Sequence, residues 1–199
     1  MPTNSDKSAL RESLRRRICT LTPEQRHAKS LAACSLATAA PEFAAARVVM
    51  LYLSTPDEVD TASIALRCWQ ASKTVVVPKV LWQQRRMLPM EITSLTAGLG
   101  TNPQGFREPV SGKPFPTDSI DLVIVPGLGF GLDGSRIGRG MGFYDRFLCS
   151  EEFLGTSCGL AFEEQVIEGM PAEAHDIPVN MLATDRGLRR FASQRTSSR

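Results

Sequence analysis

The sequence has few of the residues that build metal centres and disulfide frameworks. It holds five cysteines and two histidines in 199 residues, and no two cysteines form a CxxC pair. Zinc sites and disulfide-rich folds need such residues in paired, closely spaced arrangements. The sequence therefore argues against both, and unpaired cysteines are typical of a protein in the reducing cytoplasm.

Long apolar runs and a one-sided charge are also missing. No run approaches the roughly 20 apolar residues of a transmembrane helix, and the N-terminal segment lacks the apolar core of a signal peptide. The formal net charge is only +2, and there are only two tyrosines and two tryptophans. A surface with few aromatics among its basic residues is a poor RNA platform. We therefore expect a cytoplasmic protein without membrane or nucleic-acid partners.

A chain of 199 residues is long enough for one α/β domain, or at most one domain with a small appendage, and a hydrophobic content of 42% supports a packed core. Periodicity predicts helices over residues 5–18, 22–40 and 60–72, and a further helix from residue 143. Apolar runs predict strands over residues 48–53, 74–77, 120–126, 157–162 and 181–184, with a weaker strand over 87–92. Pro78 is expected to stop the second strand, and residues 93–119 are expected to be rich in loops. This alternation predicts a three-layer αβα sandwich with a mostly parallel, Rossmann-like sheet over residues 1–191, followed by a disordered tail over 192–199.

Residues 127–148 are the most informative segment. Seven of the 15 glycines lie in residues 127–142, after a predicted strand and before a predicted helix. Strand, glycine loop and helix is an arrangement that brings backbone N–H groups against a phosphate. Arg136 and Arg139 add positive charge, and Asp145 could hold a divalent cation against the same phosphates. A flexible connection fits too, since the segment matches neither the Rossmann nor the Walker A pattern.

Polar residues follow two other predicted strands. Glu58 comes after the first strand and Lys79 after the second. In parallel sheets, ligands bind at the carboxyl ends of the strands. Together with the glycine loop, these positions predict an anion site at one edge of the sheet.

The motif VIVPGLGF-x-x-DG-x-RIGRG-x-GFYDRFL resembles the glycine loop of the 5-formyltetrahydrofolate cyclo-ligases, also called methenyltetrahydrofolate synthetases. Other segments resemble that family in the same order along the chain. They are KSALR at 7–11, LSTPDEVDT at 53–61, VPKV at 77–80, FREP at 106–109, GLAFEEQ at 159–165 and PAEAHD at 171–176. The resemblance spans residues 7–184.

The resemblance implies an ATP-dependent ring closure. In that reaction 5-formyltetrahydrofolate becomes 5,10-methenyltetrahydrofolate, and ATP is split to ADP and phosphate. Transfer of the γ-phosphoryl group to the formyl oxygen creates a good leaving group, and N10 then attacks the activated carbon. Phosphoryl transfer depends on positioning and charge neutralisation more than on covalent catalysis, and the sequence offers no evident catalytic triad.

The family motif also implies site residues. Those for ATP are Lys7, Ser8, Ala9, Leu10, Arg11, Arg136, Ile137, Gly138, Arg139, Gly140, Met141, Gly142, Phe143 and Tyr144. Those for the folate substrate are Leu53, Glu58, Arg139, Gly140, Met141, Gly142 and Phe143. The implied Mg²⁺ ligands are Asp145 and Asp176, the implied catalytic residues are Arg139 and Asp145, and His175 is a weaker candidate for a general base.

Several alternatives stay open from the sequence. Lys7 and Arg11 could form a solvated face of the first helix, and Asp176 could be a turn residue. The whole chain could be a nucleotide-binding relative without folate turnover, or an RNA-binding module that uses its terminal arginines. Three departures from the family bear on affinity: Met141 replaces Gly or Lys, Phe143 replaces a common Tyr, and residues 102–105 lack a Trp that some members carry. We expect ATP, 5-formyltetrahydrofolate and Mg²⁺ as ligands and a monomeric enzyme.

Overall fold

The structure, a computed structural model, describes residues 4–171, 173 and 176–192. The predicted tail, apart from residue 192, and His175 lie outside the described residues. The helices are α1 (Asn4–Cys19), α2 (Pro23–Thr38), α3 (Pro41–Ala45), α4 (Ala62–Gln70) and α5 (Phe143–Leu148). Single 3₁₀ turns cover Thr117–Ser119 and Glu163–Gln165.

The strands are mostly short. They are β1 (Val48–Met50), β2 (Thr74–Leu81), β3 (Arg86–Ile92), β4 (Leu99–Thr101), β5 (Arg107–Pro109), β6 (Leu122–Val125), β7 (Gly129–Gly131), β8 (Arg136–Ile137), β9 (Thr156–Leu160), β10 (Val166–Ile167), β11 (Met181–Ala183) and β12 (Leu188–Arg190). Seven of them form the central sheet in the order β12-β11-β9-β6-β1-β2-β3.

The central sheet is parallel except at its edges. From β11 to β2 every neighbouring pair is parallel, whereas β12 and β3 pair antiparallel with β11 and β2. The chain moves from β1 to β2 in one direction and from β6 through β9 to β11 in the other. The switch point therefore lies between β1 and β6, and a crevice for ligands is expected beyond their carboxyl ends.

Alternating side chains of the sheet enter two cores. Val49 packs with residues of α2, α3 and α4, whereas Met50 and Val123 pack with Phe147 of α5 on the other face. Continuous apolar strands are buried on both faces in this way. The layered α/β fold predicted from the sequence is confirmed. None of the helices among the described residues is long and apolar enough to cross a membrane.

Capping residues in the sequence predicted the start of α2 correctly. Thr22 caps α2 as predicted: its side chain accepts a hydrogen bond from the Gln25 amide at 3.2 Å, and the Gln25 side chain accepts one from the Thr22 amide at 2.9 Å. Pro23 occupies the first turn, where its missing N–H costs nothing. The predicted and observed helices differ by about a turn or less at their ends, as expected for boundary assignments.

The prediction that Pro78 ends the second strand is wrong. Strand β2 continues to Leu81, with Pro78 opposite Pro89 of β3. The last residue of β1, Met50, pairs with Val76, so β1 has already ended where Pro78 stands. A proline is tolerated in a strand where no neighbour needs its N–H. Within the loop-rich segment over residues 93–119, β4 and β5 form a small antiparallel pair that the sequence did not predict.

The glycine-rich segment contains a hairpin that the sequence did not predict. Strands β7 and β8 pair antiparallel, and β10 joins β7. Helix α1 packs on this small sheet through Leu14, which shares a core cluster with Leu128 and Ile137. At Gly129 an added Cβ would lie 2.6 Å from Leu14 Cδ1, so glycine permits this close approach. The packing carries the N-terminal helix to the glycine loop.

Candidate functional site

A cavity of about 580 Å³ opens at the switch point of the sheet. Its floor comes from the carboxyl ends of three strands: Tyr52 and Leu53 follow β1, Pro126 follows β6, and Val80 lies in β2. Leu53 also packs against the core that Val49 forms with α2, α3 and α4. The glycine loop, α1 and the β2–β3 hairpin supply the other walls. The crevice lies where an α/β sheet of this topology is expected to bind a ligand.

A buried ion pair fixes the glycine loop. Arg136 Nη2 lies 2.7 Å from Asp145 Oδ1, and the Arg136 side chain is only 4% exposed. The Arg136 guanidinium also lies over the Tyr144 ring, 5.8 Å from its centroid. Arg136 Nε is buried without a hydrogen-bond partner among the described residues. The pair joins β8 to the first turn of α5 and so closes the loop between them.

Helix α1 brings two basic side chains to the same cavity. Lys7 Nζ lies 2.7 Å from Asp176 Oδ2 and 3.3 Å from Glu173 Oε1. Arg11 Nε donates a hydrogen bond to the Gly138 carbonyl oxygen at 3.0 Å. We call Lys7, Arg11 and Arg136, with Asp145 and Asp176, the cationic cluster; all five line the cavity.

The other predicted residues of α1 do not reach the cavity. Ser8 and Ala9 are exposed, and Leu10 packs against the cluster around Leu14. By contrast, every predicted residue of the glycine loop lines the cavity, as do Leu53 and Glu58. The loop residues are Arg136, Ile137, Gly138, Arg139, Gly140, Met141, Gly142, Phe143 and Tyr144.

Glycine is required at particular points of this loop. A Cβ at Gly138 would lie 2.7 Å from Arg136 Nη1, so it would disturb the ion pair. Gly140 has φ of +98° and Gly142 has φ of +63°, conformations that disfavour side chains. Gly142 directly precedes α5. The loop therefore presents backbone rather than side chains to the cavity at three positions.

Arg139 and Glu58 meet across the cavity. Arg139 Nη2 donates to Glu58 Oε1 at 3.2 Å and to Thr55 Oγ1 at 3.0 Å. The Thr55 amide donates to the other Glu58 oxygen at 2.9 Å. The sequence assigned Arg139 to both ligands and Glu58 to the folate. Their contact therefore lies where the expected ATP and folate sites meet, between the glycine loop and the segment after β1.

Three aromatic rings form a wall of the cavity, which we call the aromatic wall: Trp82, Phe106 and Phe143. Trp82 stacks on Phe106 at 6.5 Å and meets Phe143 edge-on at 5.3 Å. The guanidinium of Arg139 lies 5.6 Å from the Phe106 centroid. Trp82 was not among the predicted site residues, because the second strand was predicted to end at Pro78. Phe106 was noted only within the FREP segment.

The two predicted metal ligands line the same cavity. The Ile177 amide, next to Asp176 in sequence, lies 3.4 Å from Asp145 Oδ1, so the two carboxylates belong to neighbouring segments. No group of three or more His, Cys, Asp or Glu suited to a metal occurs within the described ranges. Mg²⁺ needs only one or two carboxylates when phosphate oxygens and waters supply its other ligands. The donor set fits that ion.

Burial controls the ionisation of the tyrosine and cysteine side chains. Desolvation, reinforced by the negative charge of Glu58, raises the pKa of Tyr144, and its hydroxyl has no hydrogen-bond partner in the described part of the chain. Tyr144 therefore keeps its proton at neutral pH. Burial raises the pKa of Cys34 to about 11 and of Cys158 to about 12. Such thiols are poor nucleophiles, and neither lines the cavity.

Comparison with known proteins gives one consistent result. Residues 3–185 match the model of the 5-formyltetrahydrofolate cyclo-ligase family. A 5-formyltetrahydrofolate cyclo-ligase of Mus musculus is 32% identical over 187 residues, covering 89% of this chain and 92% of the relative. One from Escherichia coli K12 is 30% identical over 174 residues, covering 86% of this chain and 96% of the relative.

Solved structures agree with these relatives. An NMR structure of Aquifex aeolicus 5,10-methenyltetrahydrofolate synthetase superposes with a TM-score of 0.82 at 33% identity, covering 97% of this chain and 96% of that one. A 5,10-methenyltetrahydrofolate synthetase from Mycoplasma pneumoniae gives a TM-score of 0.74 at 20% identity, covering 90% of this chain and 99% of that one. At that identity the second match supports the fold alone.

Proposed function

The chain belongs to the 5-formyltetrahydrofolate cyclo-ligase family, and from this premise we propose that its cavity binds ATP with Mg²⁺ at the cationic cluster and the folate at the aromatic wall. It is an enzyme of the cyclo-ligase type, which converts 5-formyltetrahydrofolate to 5,10-methenyltetrahydrofolate. The proposal adds the co-substrate, the metal and the residues that hold each.

The observation that carries the ATP assignment is the convergence of α1 with the glycine loop. Arg11 hydrogen-bonds the loop carbonyl of Gly138, and Lys7, Arg136 and Arg139 line the same cavity. Backbone N–H groups next to glycines, together with several cations, suit a triphosphate. Lys7 and Arg11 are proposed to contact the phosphates, and the loop from Arg136 to Tyr144 to surround them.

The metal assignment rests on the two carboxylates at this cluster. In the described part of the chain, the hydrogen bonds from Arg136 and from the Ile177 amide are both accepted by Asp145 Oδ1, so Oδ2 is proposed to bind the cation. Asp176 is proposed as the second ligand. Magnesium bound there would neutralise charge on the phosphates. Asp145 and Asp176 would then hold the metal on the same side of the cavity as Lys7 and Arg136.

The folate assignment rests on the aromatic wall and Glu58. The pteridine ring is flat and can pack against Trp82 and Phe106. The carboxylate of Glu58 can accept hydrogen bonds from pteridine N–H groups, and Leu53 supplies an apolar contact next to it. Arg139 is proposed to leave Glu58 when both ligands are bound, because its side chain lies between the two groups of residues.

The reaction follows from this arrangement. The bond between the γ-phosphorus and the bridging oxygen of ADP breaks as a bond forms from phosphorus to the formyl oxygen. N10 then attacks the formyl carbon and loses its proton, and phosphate leaves. Arg139 is proposed to neutralise charge on the moving phosphoryl group, and Asp145 to hold the metal; both are the proposed catalytic residues. Positioning and charge neutralisation account for most of such catalysis.

The direct test is the absorbance of 5,10-methenyltetrahydrofolate in a mixture of purified protein, 5-formyltetrahydrofolate, ATP and Mg²⁺. Product should form only with all components, and replacing ATP by ADP should abolish it. Full turnover in excess EDTA would refute the metal assignment. ATP binding without any product would instead identify a nucleotide-binding relative that lacks folate turnover.

We also propose that the protein acts as a monomer in the cytoplasm. The cytoplasmic location is supported by the five cysteines, which are unpaired throughout the described structure. Size-exclusion chromatography with light scattering tests the monomer, and a mass of twice 21.7 kDa would contradict it.

A further inference from the structure

Arg146 contacts the walls of the cavity from outside. It follows Asp145 in α5, is exposed, and is not among the residues that line the cavity. Its Nε donates to the Arg85 carbonyl oxygen at 2.7 Å, and its Nη2 donates to the Met141 carbonyl oxygen at 2.6 Å. Its guanidinium lies 5.3 Å from the Phe143 centroid. One side chain therefore makes three directed contacts.

These contacts join two segments that are separate in sequence. Arg85 lies in the turn between β2 and β3 and has φ of +51°. Met141 precedes Gly142, whose φ is +63°. Both acceptor carbonyls lie outside the helices and strands of the described structure. The forked guanidinium of Arg146 therefore links the tip of the β2–β3 hairpin to the end of the glycine loop.

The link continues into the aromatic wall. Arg146 lies against Phe143, and Phe143 meets Trp82 edge-on at 5.3 Å. Trp82 is three residues before Arg85 in the same hairpin turn. Trp82 in turn stacks on Phe106. Displacement of the hairpin tip from the loop would therefore change the angle and spacing of all three rings.

We propose that Arg146 is a positioning residue that sets the geometry of the aromatic wall, and thereby the affinity for the reduced folate. Arginine suits this role because its planar fork donates from separate nitrogens to two acceptors at once, whereas the three donors of lysine all leave one nitrogen. Arg146 touches no ligand in this account and acts through Phe143 and Trp82. The effect on folate rests on the proposed function; the effect on Trp82 does not.

The kinetic test uses Arg146→Lys and Arg146→Gln, with Arg86→Lys as the matched control. Arg86 is an exposed arginine of the same hairpin. Each Arg146 variant should raise the KM for 5-formyltetrahydrofolate about tenfold, the scale of one charge-assisted hydrogen bond. The KM for ATP, kcat and the melting temperature should stay close to wild type, as in the control. A rise in the KM for ATP instead would contradict the inference.

A spectroscopic test is independent of catalysis. The protein has only two tryptophans. Trp69 lies in α4 and packs against the core around Val49 rather than at the cavity. In a Trp69→Phe background all tryptophan emission comes from Trp82. Arg146→Lys should shift that emission to longer wavelength, whereas Arg86→Lys should not. Unchanged emission together with an unchanged folate KM would overturn the inference. A shifted emission in an enzyme that makes no product would refute the proposed function and leave the positioning of Trp82 supported.

Discussion

The cationic cluster and the aromatic wall line one cavity but are held in different ways. In the cluster, each basic side chain already has a protein partner: Arg136 has Asp145, Lys7 has Asp176, and Arg11 has the Gly138 carbonyl. In the wall, Trp82, Phe106 and Phe143 contact one another through their rings. The charged side chains are held by specific hydrogen bonds and ion pairs. The rings are held by packing against one another and by contacts with residues outside the cavity.

This difference predicts different consequences of mutation. A buried ion that loses its partner is costly, because the remaining charge stays desolvated. A ring replaced by another ring loses only part of its contact. Changes in the cationic cluster should therefore affect stability, turnover or nucleotide use, whereas changes in the wall should affect mainly the folate KM.

The largest effect is expected from Arg136→Met. It leaves Asp145, whose side chain is 18% exposed, without its cation next to the glycine loop, so the free energy of unfolding should fall by about 2 kcal/mol, the scale of a hydrogen bond to a charged group. Turnover should fall by about 100-fold or more. Urea unfolding and steady-state kinetics measure the two effects.

The double variant Arg136→Met with Asp145→Leu is the control for this change. It removes both charges, so it should recover much of the lost stability and none of the activity. If the single variant were as stable as wild type, the ion pair would not be what holds the loop.

Arg139→Ala should lower kcat by about 100-fold, the scale of one electrostatic contact to a transition state. Its side chain is 39% exposed and its partner Glu58 keeps a bond from the Thr55 amide. The melting temperature should therefore hardly change. Arg16→Ala, on an exposed face of α1, is the control for loss of one positive charge. Near wild-type turnover in a folded Arg139→Ala protein would remove Arg139 from the catalytic residues.

Glu58→Gln should raise the folate KM about tenfold, because a carboxylate bonds an N–H donor more strongly than an amide does. The amide has the same shape and still accepts the Thr55 hydrogen bond. The KM for ATP should stay within about twofold of wild type. Initial rates at varied folate and varied ATP measure both constants. An equal rise in both would show that Glu58 is not specific to the folate side.

The sequence predicted the cationic cluster better than the aromatic wall, for physical reasons. Clustered glycines around two arginines, between a predicted strand and a predicted helix, are a strong local signal, so residues 136–145 were found. In the wall, Trp82 lies in the β2–β3 turn and Phe106 in the loop between β4 and β5, strands of three residues that are too short for a periodic pattern. Trp82 was not identified because a proline such as Pro78 normally marks the end of a strand. Pro78 is tolerated here only because β1 is short and has already ended beside it.

Contacts between distant parts of the chain also could not be predicted from the sequence. Lys7 and Asp176 are 169 residues apart, and nothing local indicates that they touch. The hairpin β7–β8 was hidden within a segment whose glycines suggested an open loop. The layered sheet itself was predictable, because its strands are continuous apolar runs separated by helices.

The account's central claim is that the cationic cluster binds the nucleotide and the aromatic wall binds the folate, with loop residues 139–143 lying where the two parts of the cavity meet. It is tested most directly by measuring both KM values in Trp82→Phe and in Arg11→Gln. Trp82→Phe should raise the folate KM by about threefold to tenfold, on the scale of stacking contacts, and leave the ATP KM unchanged. Arg11→Gln should raise the ATP KM and leave the folate KM unchanged. Parallel rises of both constants in both variants would contradict the division of the cavity.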